Sequence, residues 1–325
     1  MEAESRRLDT SDSIRVLLAT GALTDQVPVG ILHLSDPHFV RSRLRRLGSP
    51  VRKVAGLYPH SDVTWDAVRP LVMEEGLVVD LLVVSGDLTS MGDPPSLRLA
   101  RDKVDTLASE LGLTAANVVV VPGNHDRFLG YIGYIVRRLM SDFETVFSPY
   151  CRSRQLSVRG ERIIIYPFDS TEQGFRIWPV FANTGLVTRK RFNEFNKVLL
   201  DSTPDEARLI VLHHHPLPVP TIETKALTIM KNGGTFMAHM QKRAADLVLH
   251  GHEHHPYSCR ISYDEGNHDT VVVSAGTVCQ DGPESASMNY IEWLPRRRVV
   301  IRTYAYGEAG FVQDANRSRA YRLSA

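Results

Sequence analysis

The sequence predicts an α/β protein: two β-sheets packed together with helices outside, in one domain. Three observations carry this expectation. Several β-branched runs are apolar throughout and stop abruptly at Gly, Pro, Asp or His; they include VGILHL, VDLLVV, ANVVVV, RIIIY, RLIVL, ADLVL and TVVVS. Such runs suit strands covered on both faces. Helical patterns lie between several of them, the alternation of a mainly parallel sheet. The end of the chain differs, because NYIEWL, PRRR and VVIRTYAY read as an antiparallel hairpin.

In chain order, residues 1–28 mix Glu2, Glu4 and Asp9 with basic residues and hold no long apolar core. They predict a loosely ordered extension and not a signal peptide. The domain is expected over 29–310, with a tail over 311–325. Helices are predicted over 62–76, interrupted by Pro70, over 96–111, and over 188–201 behind a Thr188 cap.

Composition narrows the function classes. The 325 residues are 43% hydrophobic and carry a net charge of +1. A balanced charge announces no nucleic-acid partner. Cys151, Cys259 and Cys279 are widely spaced and form no CxxC pair, so a reducing cytoplasm fits better than a disulfide framework. No apolar stretch approaches the roughly 20 residues of a membrane span; contact with a membrane surface stays open. The sequence does not address oligomeric state.

Polar residues gather where the apolar runs stop, and α/β sheets bind ligands beyond the carboxyl ends of their strands. SDPH supplies Asp36 and His38, which share a side if the backbone is extended. SGDL supplies Asp87 and PGNHD supplies Asn124, His125 and Asp126. LHHHP supplies His213, His214 and His215; LHGHEHH supplies His250, His252, His254 and His255. Singly, each piece has an ordinary explanation: a turn, a cap, a hydrogen-bonded core histidine. Five together, each at a strand end, point to one metal centre. Carboxylates, an amide oxygen and imidazoles suit Mn²⁺, Fe or Zn²⁺ better than Mg²⁺ or Ca²⁺.

The ordered set D-x-H, GD, GNHD, H, GHxH resembles the calcineurin-like metallophosphoesterase family over roughly residues 29–305. The resemblance implies a four-layer β-sandwich flanked by helices, with two divalent or trivalent metal ions at the strand ends. It implies Asp36, His38, Asp87 and His254 as ligands of one ion. Asp87, Asn124, His214 and His252 would hold the other, with Asp87 bridging. His214 is preferred because the family's ligand sits two positions before the proline. His250 and His255 read either as groups that orient ligands or as surface residues. His125 matches the family histidine that contacts phosphate and protonates the leaving oxygen. Asp126 would orient His125 or cap the next helix. Two such cations would activate a bridging water and stabilise charge in an in-line displacement.

The first functional expectation is a phosphodiesterase of the cyclic-nucleotide type. The alternative is hydrolysis of a pyrophosphate in a UDP-linked lipid such as UDP-diacylglucosamine. The basic run Arg41–Lys53 and the apolar segment 128–140 would favour that alternative if they bind ligand instead of forming a solvated face and core. The segment 217–238 reads as a loop over the site. A reading of another class is a non-catalytic interaction scaffold, against which stands a complete ligand set.

Overall fold

The computed structural model describes residues 27–41, 61–127, 142–172, 184–218, 228–263, 266–279, 286–295 and 297–324. The expected extension lies almost wholly outside them, as do the basic run beyond Arg41, the apolar segment 128–140 and residues 219–227.

Two mixed sheets carry the fold. The first runs β12-β11-β10-β1-β2-β3, with β13 also on β11. Its strands are β1 (Val29–Leu34), β2 (Leu81–Val84), β3 (Val118–Val120), β10 (Ser287–Leu294), β11 (Arg298–Gly307), β12 (Gly310–Gln313) and β13 (Arg319–Arg322). β1, β2 and β3 are parallel, with Leu82 opposite both Leu32 and Val118. β10 and β11 form the expected antiparallel hairpin. The second sheet runs β4-β5-β6-β7-β9-β8. It comprises β4 (Arg154–Val158), β5 (Glu161–Pro167), β6 (Ala207–Val211), β7 (Leu247–His250), β8 (Tyr257–Tyr263) and β9 (Gly266–Ser274). β5, β6, β7 and β9 are parallel.

The period-two alternation of the strands builds three cores. Ile31, Val83, Val119 and Ile291 face Ile165, Leu209, Leu249 and Val273 between the sheets. The other side of the first sheet, with Leu32, Leu82 and Val120, packs on α1 (Val63–Asp66), α2 (Val68–Glu74), α3 (Pro94–Glu110) and, past the short α4 (Asn124–Arg127) in the chain, α5 (Phe143–Phe147). The outer side of the second sheet, with Tyr166, Ile210 and Val248, packs on Phe195 of α6 (Arg189–Val198) and Phe236 of α7 (Gly233–Lys242). The layers are therefore α/β/β/α, as expected. Both faces of each central strand are covered, which is why those strands read as unbroken apolar runs.

Local details refine the expectations. The first helix breaks at Ala67, not at Pro70. A proline ring collides with the carbonyl four residues back, so Pro70 fits only in the first turn of a new helix. Asp93 caps α3 by accepting from the Ser96 amide, and Thr188 caps α6 by accepting from Arg191. Residues 311–324 supply β13 and most of β12, both paired to β11. Part of the expected 217–238 loop is the helix α7.

Candidate metal centre

Each polar segment follows a buried strand, and backbone bonds tie the segments together. The Asp36 amide donates to Gly86 O and the His38 amide to Asp87 O, both at 3.0 Å. The chain does not stay extended there. Asp36, His38, Asp87, His252 and His254 all take the left-handed conformation, with φ of 53°, 48°, 50°, 83° and 54°. Non-glycine residues seldom adopt it, and such conformations gather at functional sites. The glycines make room. A Cβ on Gly123 would lie 2.1 Å from Asp87 Oδ1, and one on Gly251 would lie 2.4 Å from Asp36 Oδ2.

Two clusters result, on either side of Asp87. In the first, Asp36 Oδ1 lies 3.3 Å from His254 Nε2 and 3.9 Å from His38 Nε2, and the two imidazole nitrogens are 3.2 Å apart. In the second, His213 Nε2 lies 3.1 Å from Asn124 Oδ1 and 3.1 Å from His252 Nδ1. Asp87 Oδ2 stands between, 3.3 Å from His213 Nε2 and 3.8 Å from His38 Nε2. Asp36, His38, Asp87 and His213 are buried, whereas the His254 side chain is 28% exposed, so the centre opens on that side. His125 sits beside the junction. Its amide donates to Asp87 Oδ1 at 2.8 Å, and its ring is edge-on to His38 at 4.9 Å. Its Nδ1 is 3.2 Å from the Ser90 carbonyl. Donation to that carbonyl makes Nε2 the basic nitrogen of the ring.

The electrostatics follow from crowding. Burial pushes the Asp87 carboxyl up, but His213, His125 and His38 together hold it well below the usual carboxylate range. Burial pushes His213 down, yet the Asp87 and Asp36 carboxylates and the Ser85 carbonyl together outweigh it and lift the imidazole to about 9. His252 is driven well below its ordinary value by burial and by the neighbouring histidines.

The structure brings Asp36, His38, Asp87, Asn124, His252 and His254 together. Of the triplet, His213 is the ring whose nitrogen reaches Asn124 and Asp87, whereas the His214 ring lies against His252 with centroids 4.6 Å apart. The chain bends after Val211, so alternation along a strand no longer decides direction. His213 Nδ1 donates to Ser85 O at 2.8 Å, which turns Nε2 into the centre. His214 Nδ1 instead pairs with Ser170 Oγ at 2.8 Å. Asp126 points away from the cluster of imidazoles and into the backbone of two turns. Its carboxylate accepts from the amides of Leu88, Thr89 and Gly123 and from the Thr89 hydroxyl. It fastens the GNHD turn to the GD turn, and by accepting the Gly123 amide it also closes the start of the short helix Asn124–Arg127. Burial and the charge of Asp87 push it up to about 6. His250 turns away to Tyr257, with Nε2 3.1 Å from the phenol oxygen. Sequence reasoning missed Arg127, whose buried guanidinium pairs with Asp169 at 2.6 Å and with Glu144. Its position directly after GNHD was the available signal.

The donor set fits a pair of cations. Asp36 Oδ1 is buried with no hydrogen bond, and pairs of imidazole nitrogens converge at 3.1 and 3.2 Å on carboxylate oxygens. Nitrogen and oxygen donors without thiolate suit Mn²⁺, Fe or Zn²⁺. Comparison with known proteins agrees. The calcineurin-like phosphoesterase family profile matches residues 29–256. The chain belongs to that family, and it is a metal-dependent phosphoester hydrolase. It is 24% identical over 271 residues to a cAMP/cGMP dual specificity phosphodiesterase of Mycobacterium tuberculosis, covering 80% of this chain and 75% of that one. Among solved structures it is similar to a putative 5'-nucleotidase from Staphylococcus aureus, at 12% identity and a TM-score of 0.45, covering 92% of this chain and 55% of the other. It is also similar to the phosphopantetheinyl hydrolase of M. tuberculosis, at 16% identity and a TM-score of 0.42, covering 77% and 90%. The chain thus spans just over half the length of that nucleotidase. Among the described residues, no helix is long and apolar enough to cross a membrane.

Proposed function

We propose that this chain is a phosphodiesterase acting on small cyclic-nucleotide diesters in the cytoplasm, with Asp36, His38, Asp87 and His254 holding one cation. Asp87, Asn124, His213 and His252 hold the other. The observation that carries the reading is the placement of Asp87 Oδ2 between His213 and His38, at 3.3 and 3.8 Å. Two cations held by these residues would neutralise phosphate oxygens and acidify a bound water. The chain's own residues supply the rest. Asp36 accepts the His252 amide at Oδ2, which aims Oδ1 at His38 and His254. The Ser85 carbonyl fixes the tautomer of His213. His125, entering the step as the imidazolium with Nδ1–H on the Ser90 carbonyl, gives its Nε2 proton to the leaving oxygen as the P–O bond breaks and is left neutral. The cyclic-nucleotide assignment is supported by the mycobacterial relative.

The test is a substrate panel assayed with Mn²⁺: bis-p-nitrophenyl phosphate, cAMP, cGMP and a UDP-linked lipid. Turnover of the diester and the cyclic nucleotides is expected. Turnover of the lipid pyrophosphate without cAMP would overturn the substrate class. His125→Ala should lower turnover by roughly 10²–10⁴-fold with bound metal unchanged; an interaction scaffold would have no turnover to lose.

A further inference from the structure

A second group of imidazoles adjoins the centre and is not used by it. The rings of His214 and His215 lie against His252, with centroids 4.6 Å between His214 and His252 and 5.7 Å between His215 and His252, and His250 lies beyond His215 at 6.2 Å. His214 is bound at Nδ1 by Ser170 with its Nε2 buried and unpartnered, and His250 is bound at Nδ1 by the Gly251 carbonyl and at Nε2 by Tyr257. His215 differs from both. It is fully buried, and neither ring nitrogen has a hydrogen-bond partner. His252 is half accounted for: Nδ1 faces His213 at 3.1 Å, whereas Nε2 is buried and unpartnered. A buried polar group left without a partner costs about 1–3 kcal/mol. Three such nitrogens on two neighbouring rings offer a concentrated set of donors to an occupant.

The next residue indicates its chemistry. Glu253 brings a partly exposed carboxylate to the same place, and one ligand atom from each of His215, His252 and Glu253 lies within 4.8 Å of the others. A water would satisfy the imidazoles but needs no anionic carboxylate. Two imidazoles and a carboxylate form the three-ligand set that zinc takes when it keeps one position open. We propose that His215, His252 and Glu253 hold one further divalent cation of the zinc class, adjoining the dinuclear centre through the shared His252 ring. Binding at Nε2 displaces the proton that the neutral ring carries there, and the proton leaves to solvent. The shared ring would couple the two sites. The cation would also clamp the turn after β6, where His215 precedes Pro216, to the turn after β7. The proposal goes beyond the dinuclear reading and shares only His252 with it.

The experiment is equilibrium dialysis of the metal-stripped full chain against Zn²⁺, with metal counted by mass spectrometry. Wild type is compared with His215→Leu and Glu253→Ala. His215 is buried, so Glu253→Ala, at a partly exposed position, guards against a folding defect. Wild type is expected to hold one equivalent more than either variant. Equal counts in all three would overturn the proposal. The difference between wild type and variants reads this site alone. The count remaining in the variants, expected to be two, reads the dinuclear centre, so the two ideas fail separately.

Discussion

At the scale of single residues, the histidine triplet is decided by one carbonyl. His213 reaches Asn124 and Asp87 because its other nitrogen is bound by Ser85 O. His213→Ala should therefore lower turnover by more than the roughly 10–100-fold that loss of an outer-shell partner costs. His214→Ala should leave metal content intact, and metal analysis of the two variants checks the assignment. The proton on His213 sets a pH dependence. Its imidazole is lifted to about 9 in the metal-free chain, so a cation must displace that proton at neutral pH. Metal affinity should rise with pH up to about 9, and calorimetric titration at several pH values measures the slope. His33 titrates in the opposite sense. Buried in β1 against Ser85 Oγ, it is pushed down to about 3 by burial, against a smaller pull from Asp36. An unfolded chain takes that proton below about 6.5, while the folded chain refuses it. Stability should thus fall by up to about 1.4 kcal/mol per pH unit from 6.5 towards 3. His33→Gln should flatten that part of the profile in urea titrations.

At the scale of elements, the turns after the strands do the positioning. The D-x-H and GHxH spacings suggested side chains sharing one side of an extended chain. The residues do converge, but by a different route: each of the four takes a left-handed φ. Spacing alone could not show this, since it depends on glycine clearance and on backbone bonds between distant turns. The buried parallel strands were legible because both their faces are covered. The edge strands β4 and β8 were not: β4 alternates intermediate and exposed residues and makes no apolar run. The GNHD turn offers two tests. Gly123→Ala would put a methyl 2.1 Å from Asp87 Oδ1, so it should expel metal and abolish turnover while far-UV circular dichroism stays unchanged. Arg127 joins this turn to the segment after β5 through Asp169 and Thr171. Arg127→Met leaves the Asp169 carboxylate buried without its counter-ion, bound only by Thr171, and should cost about 3–5 kcal/mol in denaturant unfolding.

At the scale of the whole molecule, the two sheets bring together strand ends far apart in sequence. β1, β2 and β3 deliver Asp36, His38, Asp87 and Asn124; β6 and β7 deliver His213, His252 and His254. The site forms across the sandwich, so its construction requires both sheets. The most direct measurement is anomalous diffraction from crystals of the Mn²⁺-loaded protein. It should reveal one peak among Asp36, His38 and His254 and a second among Asn124, His213 and His252, about 3.5–4 Å apart with Asp87 between them. A single peak, or a pair that excludes Asp87, would contradict the account.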